Sequence, residues 1–177
     1  SGTGKTTVAN IAAKTSHKTL YRLNATNASV ADVKAIVKES EGLLGQDGVL
    51  LYLDEIQNFN KKQQQSLLEY TENGKITLIA STTENPYFYV YNAILSRSTV
   101  FEFKPLTATD IVMALRRALT ILQAEDFPHH TLRADDDALL HLSEKSGGDV
   151  RKALNALELA VNYTPPDEAG VITLTRD

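Results

Sequence analysis

The chain has 177 residues, 42% of them hydrophobic and 23% charged, with a formal net charge of −4. This balance is ordinary for a globular domain and gives no global attraction to nucleic acid, so any such contact needs a local basic patch. There are no cysteines, which excludes disulfides and thiolate metal sites, and no apolar run approaches the roughly 18 residues that would span a bilayer.

The first element is Ser1-Gly2-Thr3-Gly4-Lys5-Thr6-Thr7, most of a phosphate-binding loop. A glycine-rich turn entering a helix aims several backbone N–H groups at one point, where phosphate oxygens can sit. Lys5 would reach the β- and γ-phosphates, and the Thr6 hydroxyl would ligate Mg²⁺. The pattern's first glycine and an initiator Met are both missing, so we expect a longer protein with a strand ahead of Ser1.

A helix is predicted over Thr6 to Lys14, then a short strand at Thr19 to Leu23. Asn24-Ala25-Thr26-Asn27 is turn-like, and Ser29 or Asn27 can cap a helix from about Val30 to Glu41. Val49-Leu50-Leu51-Tyr52-Leu53 is continuously apolar, as a central parallel strand is, and runs directly into Asp54-Glu55. Asp54 at that strand end is placed to hold the same Mg²⁺, and Glu55 to polarise the attacking water.

A helix from Lys61 to Thr71 stops at Asn73-Gly74, and Ile76 to Ala80 reads as another buried strand. Thr82 follows it; its hydroxyl either contacts the γ-phosphate or caps the turn into Glu84-Asn85-Pro86. Tyr87-Phe88-Tyr89 fits packing under the next strand better than a stacking platform, and Lys61-Lys62 fits a solvated helix face better than a DNA contact. Asn92 to Leu95 is a short helix, and Thr99 to Phe103 alternates as a strand. Arg97 before it is either a trans-acting finger or a surface arginine with a packed stem.

From Lys104-Pro105-Leu106 onward the pattern turns helical: Ala108 to Glu125, capped by Thr107 or Thr109, then Asp135 to Lys145, then Asp149 to Tyr163. Arg151 lies in the first turn of the last helix, where a cation opposes the helix dipole and local stability does not explain it. A polyanion nearby would. Residues 165–170 read as a linker, and Val171 to Leu174 as the start of something further. The expected division is an α/β nucleotide-binding core at 1–104, a helical lid at 105–164, and at 165–177 a linker and the start of a C-terminal domain. Alternating strands and helices imply a parallel sheet with ligands at the carboxyl strand ends, where the loop, Asp54-Glu55 and Ser81-Thr82-Thr83 all fall.

These residues resemble the AAA+ ATPases, and within them the replication-associated recombination protein A family. The resemblance is carried by Leu23-Asn24-Ala25, Leu53-Asp54-Glu55-Ile56, Phe59-Asn60-Lys61, Thr82-Thr83-Glu84-Asn85-Pro86, Leu95-Ser96-Arg97 and Gly148-Asp149-Val150-Arg151. It implies a Walker A loop over Gly2, Thr3, Gly4, Lys5, Thr6 and Thr7, and Walker B at Asp54 and Glu55. It implies sensor 1 at Thr82, a trans finger at Arg97 and sensor 2 at Arg151. It further implies ATP and Mg²⁺ as cofactors and a clamp-loader-like role on forked or junction DNA at stalled forks. Contact with single-stranded-DNA-binding protein, a homotetramer formed through a C-terminal domain beyond Asp177, and a cytoplasmic, nucleoid-associated location complete the expectation. Gln57 and Ser98 stand where members often carry His and Cys.

Competing readings are a clamp-loader subunit or a branch-migration motor. The first has a cysteine zinc module that this chain lacks; the second inserts a hairpin for which the interval between Asp54 and Thr82 leaves little room. A non-catalytic, nucleotide-dependent interaction module is the alternative of another class. The 177-residue chain by itself is expected to turn over little or no ATP.

Overall fold

In the computed structural model, residues 2–40 and 48–176 are described. Ser1, and the end of the second expected helix at Glu41, lie outside them. The chain divides into two compact units, one of Gly4–Glu102 and the other of Ser1–Thr3 with Phe103–Asp177.

The first unit is built on a parallel sheet of β1 (Thr19–Asn24), β2 (Val49–Asp54) and β3 (Ile76–Ala80), in the order β1-β2-β3. The register pairs Asn24 with Asp54 and Leu53 with Ala80, so all three carboxyl ends finish at one edge. The middle strand β2 is buried on both faces, which is why its sequence does not alternate. Val49, Leu51 and Leu53 enter a core with Val33, Ile36 and Val37 of α2 (Val30–Ser40) and Leu67 of α3 (Lys61–Glu72). Leu50, Tyr52 and Asp54 point the other way, toward α1 (Lys5–Ser16), whose buried residues are Ala9 and Ala13.

Local chemistry fixes the helix starts. Asn60 caps α3 in a reciprocal capping box with Gln63. At the start of α2 the Asp32 carboxylate accepts from both the backbone N–H and the hydroxyl of Ser29. Two four-residue helices follow β3, α4 (Pro86–Tyr89) and α5 (Asn92–Leu95).

The strand expected over Thr99 to Phe103 is not formed. A strand exists by pairing, and among the described residues the outer edge of β3 carries no partner. Val100 and Phe101 are consequently exposed. The packing expected for Tyr87-Phe88-Tyr89 under that strand is likewise absent, and all three rings are exposed.

The second unit contains the three expected helices, α6 (Ala108–Glu125), α7 (Asp136–Lys145) and α8 (Val150–Tyr163), with Thr107 as the cap of α6. It is not purely helical. β4 (Thr131–Ala134) pairs in parallel with β5 (Val171–Leu174), and Leu132, Ile172 and Leu174 join the core of Ile111, Leu115, Leu139, Leu157 and Val161. Residues 171–174, expected to open a further segment, therefore close back onto the helices. The expected linker before them is a tight turn, in which the Asp167 carboxylate accepts from the N–H groups of Ala169 and Val171. Among the described residues no helix is long and apolar enough to cross a membrane.

Candidate nucleotide site

α1 begins at Lys5, directly after Gly4, whose φ of 92° is one that glycine adopts without strain. A Cβ built on Gly4 would meet nothing within 4 Å, so the space beside this turn is open. Lys5 is half-buried and forms no ion pair among the described residues. Its neighbour Thr6 is the start of a chain of oxygens running into the end of β2.

The Thr6 hydroxyl lies 3.2 Å from the Tyr52 hydroxyl. The Tyr52 oxygen lies 3.2 Å from an Asp54 carboxylate oxygen and 3.0 Å from the Ser81 hydroxyl, which also donates to Asp54. Tyr52 carries one proton, and an ionised carboxylate only accepts. The assignment that charge favours has Tyr52 and Ser81 each donating to Asp54, with the Thr6 hydroxyl donating to the Tyr52 oxygen. Alternation along β2 puts Tyr52 and Asp54 on one face, and the parallel register brings Ser81, just past β3, to their level.

Glu55 is one of two non-glycine residues with positive φ among those described, at 56°. That conformation costs roughly 1–2 kcal/mol. It turns the chain sharply, so that the Ile56 N–H donates to the Ser81 carbonyl at 3.0 Å while the Asp54 carbonyl accepts from Ala25 N–H at 2.9 Å. The Glu55 carboxylate accepts from the Gln57 amide and, at 3.1 Å, from the Thr83 hydroxyl.

Thr82 does not touch either carboxylate among the contacts described; its hydroxyl accepts from the Glu84 N–H at 3.0 Å, the turn-capping alternative. Arg97 is exposed and pairs through Nε with Glu72 at 2.9 Å, and its Nη1 donates to the Ala93 carbonyl at 3.1 Å. In the second unit Arg151 is exposed in the first turn of α8, its backbone N–H donating to the capping Asp149 carboxylate at 2.9 Å. The backbone of Gly2 packs against the same cap, where any Cβ would lie 1.9 Å from an Asp149 oxygen.

Tyr52 is the residue that sequence reading passed over, and Ser81 was placed at the ligand edge without a role of its own. Tyr52 reads as one more apolar position in the run from Val49 to Leu53. The available signal was its spacing: a polar-tipped Tyr two residues before an acid shares that acid's face.

The donor set fits a magnesium–triphosphate group. Hard oxygen donors from Thr6 and Asp54 suit Mg²⁺, which takes few protein ligands and keeps water and phosphate oxygens for the rest.

The parallel sheet, the loop into α1 and the acid pair ending β2 at its carboxyl edge define a P-loop NTPase of the AAA class. The ATPase family associated with various cellular activities (AAA) matches residues 1–106, and the chain belongs to it. Replication-associated recombination protein A of Bacillus subtilis is 41% identical over 174 residues, covering 98% of this chain and 40% of that protein. The Escherichia coli K12 protein of the same name is 33% identical over 170 residues, covering 96% and 38%. The resemblance carried by the sequence motifs is thereby borne out. The chain spans about two fifths of the length of these relatives. In fold it is similar to the RuvB Holliday junction branch migration motor of Thermotoga maritima, with a TM-score of 0.77 at 21% identity over 99% of this chain and 56% of that one.

Proposed function

We propose that this chain is the ATP-binding and ATP-hydrolysing part of a DNA replication and recombination repair factor. The observation that carries the reading is the oxygen chain from Thr6 through Tyr52 to Asp54, with Glu55 next to it. That two segments far apart in sequence bring their oxygens together there supports the reading, because a magnesium nucleotide needs donors from both.

In this reading Gly2, Thr3, Gly4 and Thr7 shape the loop, Lys5 orients the phosphates, and Thr6 with Asp54 holds Mg²⁺. Held by these two residues, Mg²⁺ would supply charge neutralisation to the phosphate oxygens. Glu55 accepts a proton from the attacking water once released from Gln57 and Thr83. Thr82 acts as sensor 1, and Arg151 supplies a cation from a helical lid spanning 105–164. Arg97 acts on the nucleotide of a neighbouring subunit. Its pair with Glu72 is no obstacle, because an exposed ion pair is worth only about 0–1 kcal/mol.

The resemblance to that family motivates the finer reading: clamp-loader-like work on forked or junction DNA at stalled forks, contact with single-stranded-DNA-binding protein, and assembly as a homotetramer through a C-terminal domain, in the cytoplasm at the nucleoid. The test is the ATP hydrolysis rate of the intact protein, with and without forked or gapped DNA, beside Glu55→Gln. Expected are DNA stimulation, and a variant that retains nucleotide binding while losing turnover. Unchanged turnover in Glu55→Gln would remove Glu55 from the mechanism.

A further inference from the structure

Three aromatic rings in succession stand in solvent beside the nucleotide-binding sheet. Tyr87 is 67% exposed, Phe88 82% and Tyr89 52%. They occupy α4, whose backbone is held at both ends. Asn85 caps it, accepting from the Tyr87 N–H at 3.0 Å, and the Val90 N–H donates to the Pro86 carbonyl at 2.9 Å. Gln64, 2% exposed, ties the far end to α3 by donating to the Tyr89 carbonyl at 3.1 Å and accepting from the Tyr91 N–H at 2.8 Å. The rings are thus presented on a fixed backbone, with no contribution from core packing to explain them. At the edge of this segment the Lys61 ammonium lies over the Tyr91 ring, 5.3 Å from its centroid. No carboxylate among the described residues pairs with Lys61 or Lys62.

We propose that Tyr87, Phe88 and Tyr89, edged by Lys61, form a stacking platform for single-stranded nucleic acid. The pairing of flat apolar rings with an uncompensated ammonium matches the two halves of a nucleotide, a base with a π-face and a phosphate. An apolar protein surface would satisfy the rings and leave the cation without a role. Stacking is sequence-tolerant, since every base offers a face, so the platform holds strands by form rather than by sequence. The proposal rests on the reading of the chain as part of a DNA-acting ATPase, and places the contact in the unit that carries Asp54 and Glu55.

The experiment uses the intact protein, a fluorescently labelled oligo(dT) and anisotropy at several salt concentrations. Phe88→Ala is expected to weaken binding by about fivefold or more, while Phe88→Trp retains it. Lys61→Ala is expected to lower the salt slope by about 0.7. Ring exposure means that these variants fold, which circular dichroism checks, and ATP hydrolysis without DNA is unchanged in them. Photo-crosslinking of a bromodeoxyuridine oligonucleotide to the peptide carrying residues 87–89 supports the platform. Unchanged affinity in Phe88→Ala overturns it, and a lower solution mass of that variant at unchanged affinity reassigns the rings to an interface between copies. Intact protein that hydrolyses ATP but does not bind the oligonucleotide defeats the platform alone. Platform-dependent binding without hydrolysis defeats the ATPase reading alone.

Discussion

Replacing Tyr52 with Phe removes one oxygen and keeps a ring that is only 3% exposed. That oxygen lies 3.2 Å from both Thr6 and Asp54 and 3.0 Å from Ser81. The bond to Asp54 has a charged acceptor, for which loss costs about 1.5–3 kcal/mol. Ser81 still donates to the carboxylate in the variant, so Asp54 is not orphaned and the lower end, about 1.5 kcal/mol, is expected. In an Asp54→Asn background the same bond is neutral, and Tyr52→Phe should cost less, about 0.5–1 kcal/mol. The assay is a double-mutant cycle by urea unfolding. It is best followed by far-UV circular dichroism, because the chain has no Trp and the substitution alters tyrosine emission. A cost below about 0.5 kcal/mol, or the same cost in both backgrounds, would refute the charge-assisted assignment of this network.

Other perturbations test the frame around the site. Leu51→Ala empties a fully buried position in β2 and should lower the stability of the first unit by about 2–5 kcal/mol, whereas exposed Leu159→Ala should stay within about 0.5 kcal/mol; comparable losses would contradict the burial pattern. Gly148→Ala would force φ of +84° on an alanine and set its Cβ 2.5 Å from that of Pro105, for a loss of about 2–5 kcal/mol in denaturant unfolding of the second unit; a neutral result would contradict this backbone. The hydrogen bonds from Ser29, side chain first and backbone second, hold the Asp32 carboxyl below its ordinary pKa. A lowered folded-state pKa means stability that is present above the unfolded value and lost as pH falls through the folded one. Asp32→Asn should therefore be less stable at neutral pH and converge with the parent in acid; parallel curves between about pH 5 and pH 1 would rule this out.

The parts of the fold written by local rules were legible in the sequence. The apolar run ending in Asp54-Glu55, the glycine turn into α1 and the Thr107 cap each depend on a few adjacent residues, and each forms as read. What failed depends on partners elsewhere. Thr99 to Phe103 has a strand's alternation but nothing to pair with among the described residues, and alternation alone contributes no hydrogen bonds. Thr131–Ala134 is too short to display a period, and its partner lies beyond two helices. At the site, the acid pair could be read directly because acids after an apolar strand are conspicuous. Tyr52 and Ser81 could not, since their role appears only when the register of β2 and β3 brings their hydroxyls together.

The pairing of Thr131 with Val171 has a temporal side. Its two strands are joined through α7 and α8, so the ladder closes only after a long stretch of chain has been ordered. During synthesis, α6, α7 and α8 leave the ribosome before the strand that completes their core. Until Leu174 is out, Leu132 lacks its neighbour Ile172, and the nascent helices present an open apolar seam. Arrested nascent chains ending before Val171 should accordingly be cut readily by protease, and those extending well past Leu174 should resist; equal sensitivity would show that the helices consolidate without the ladder.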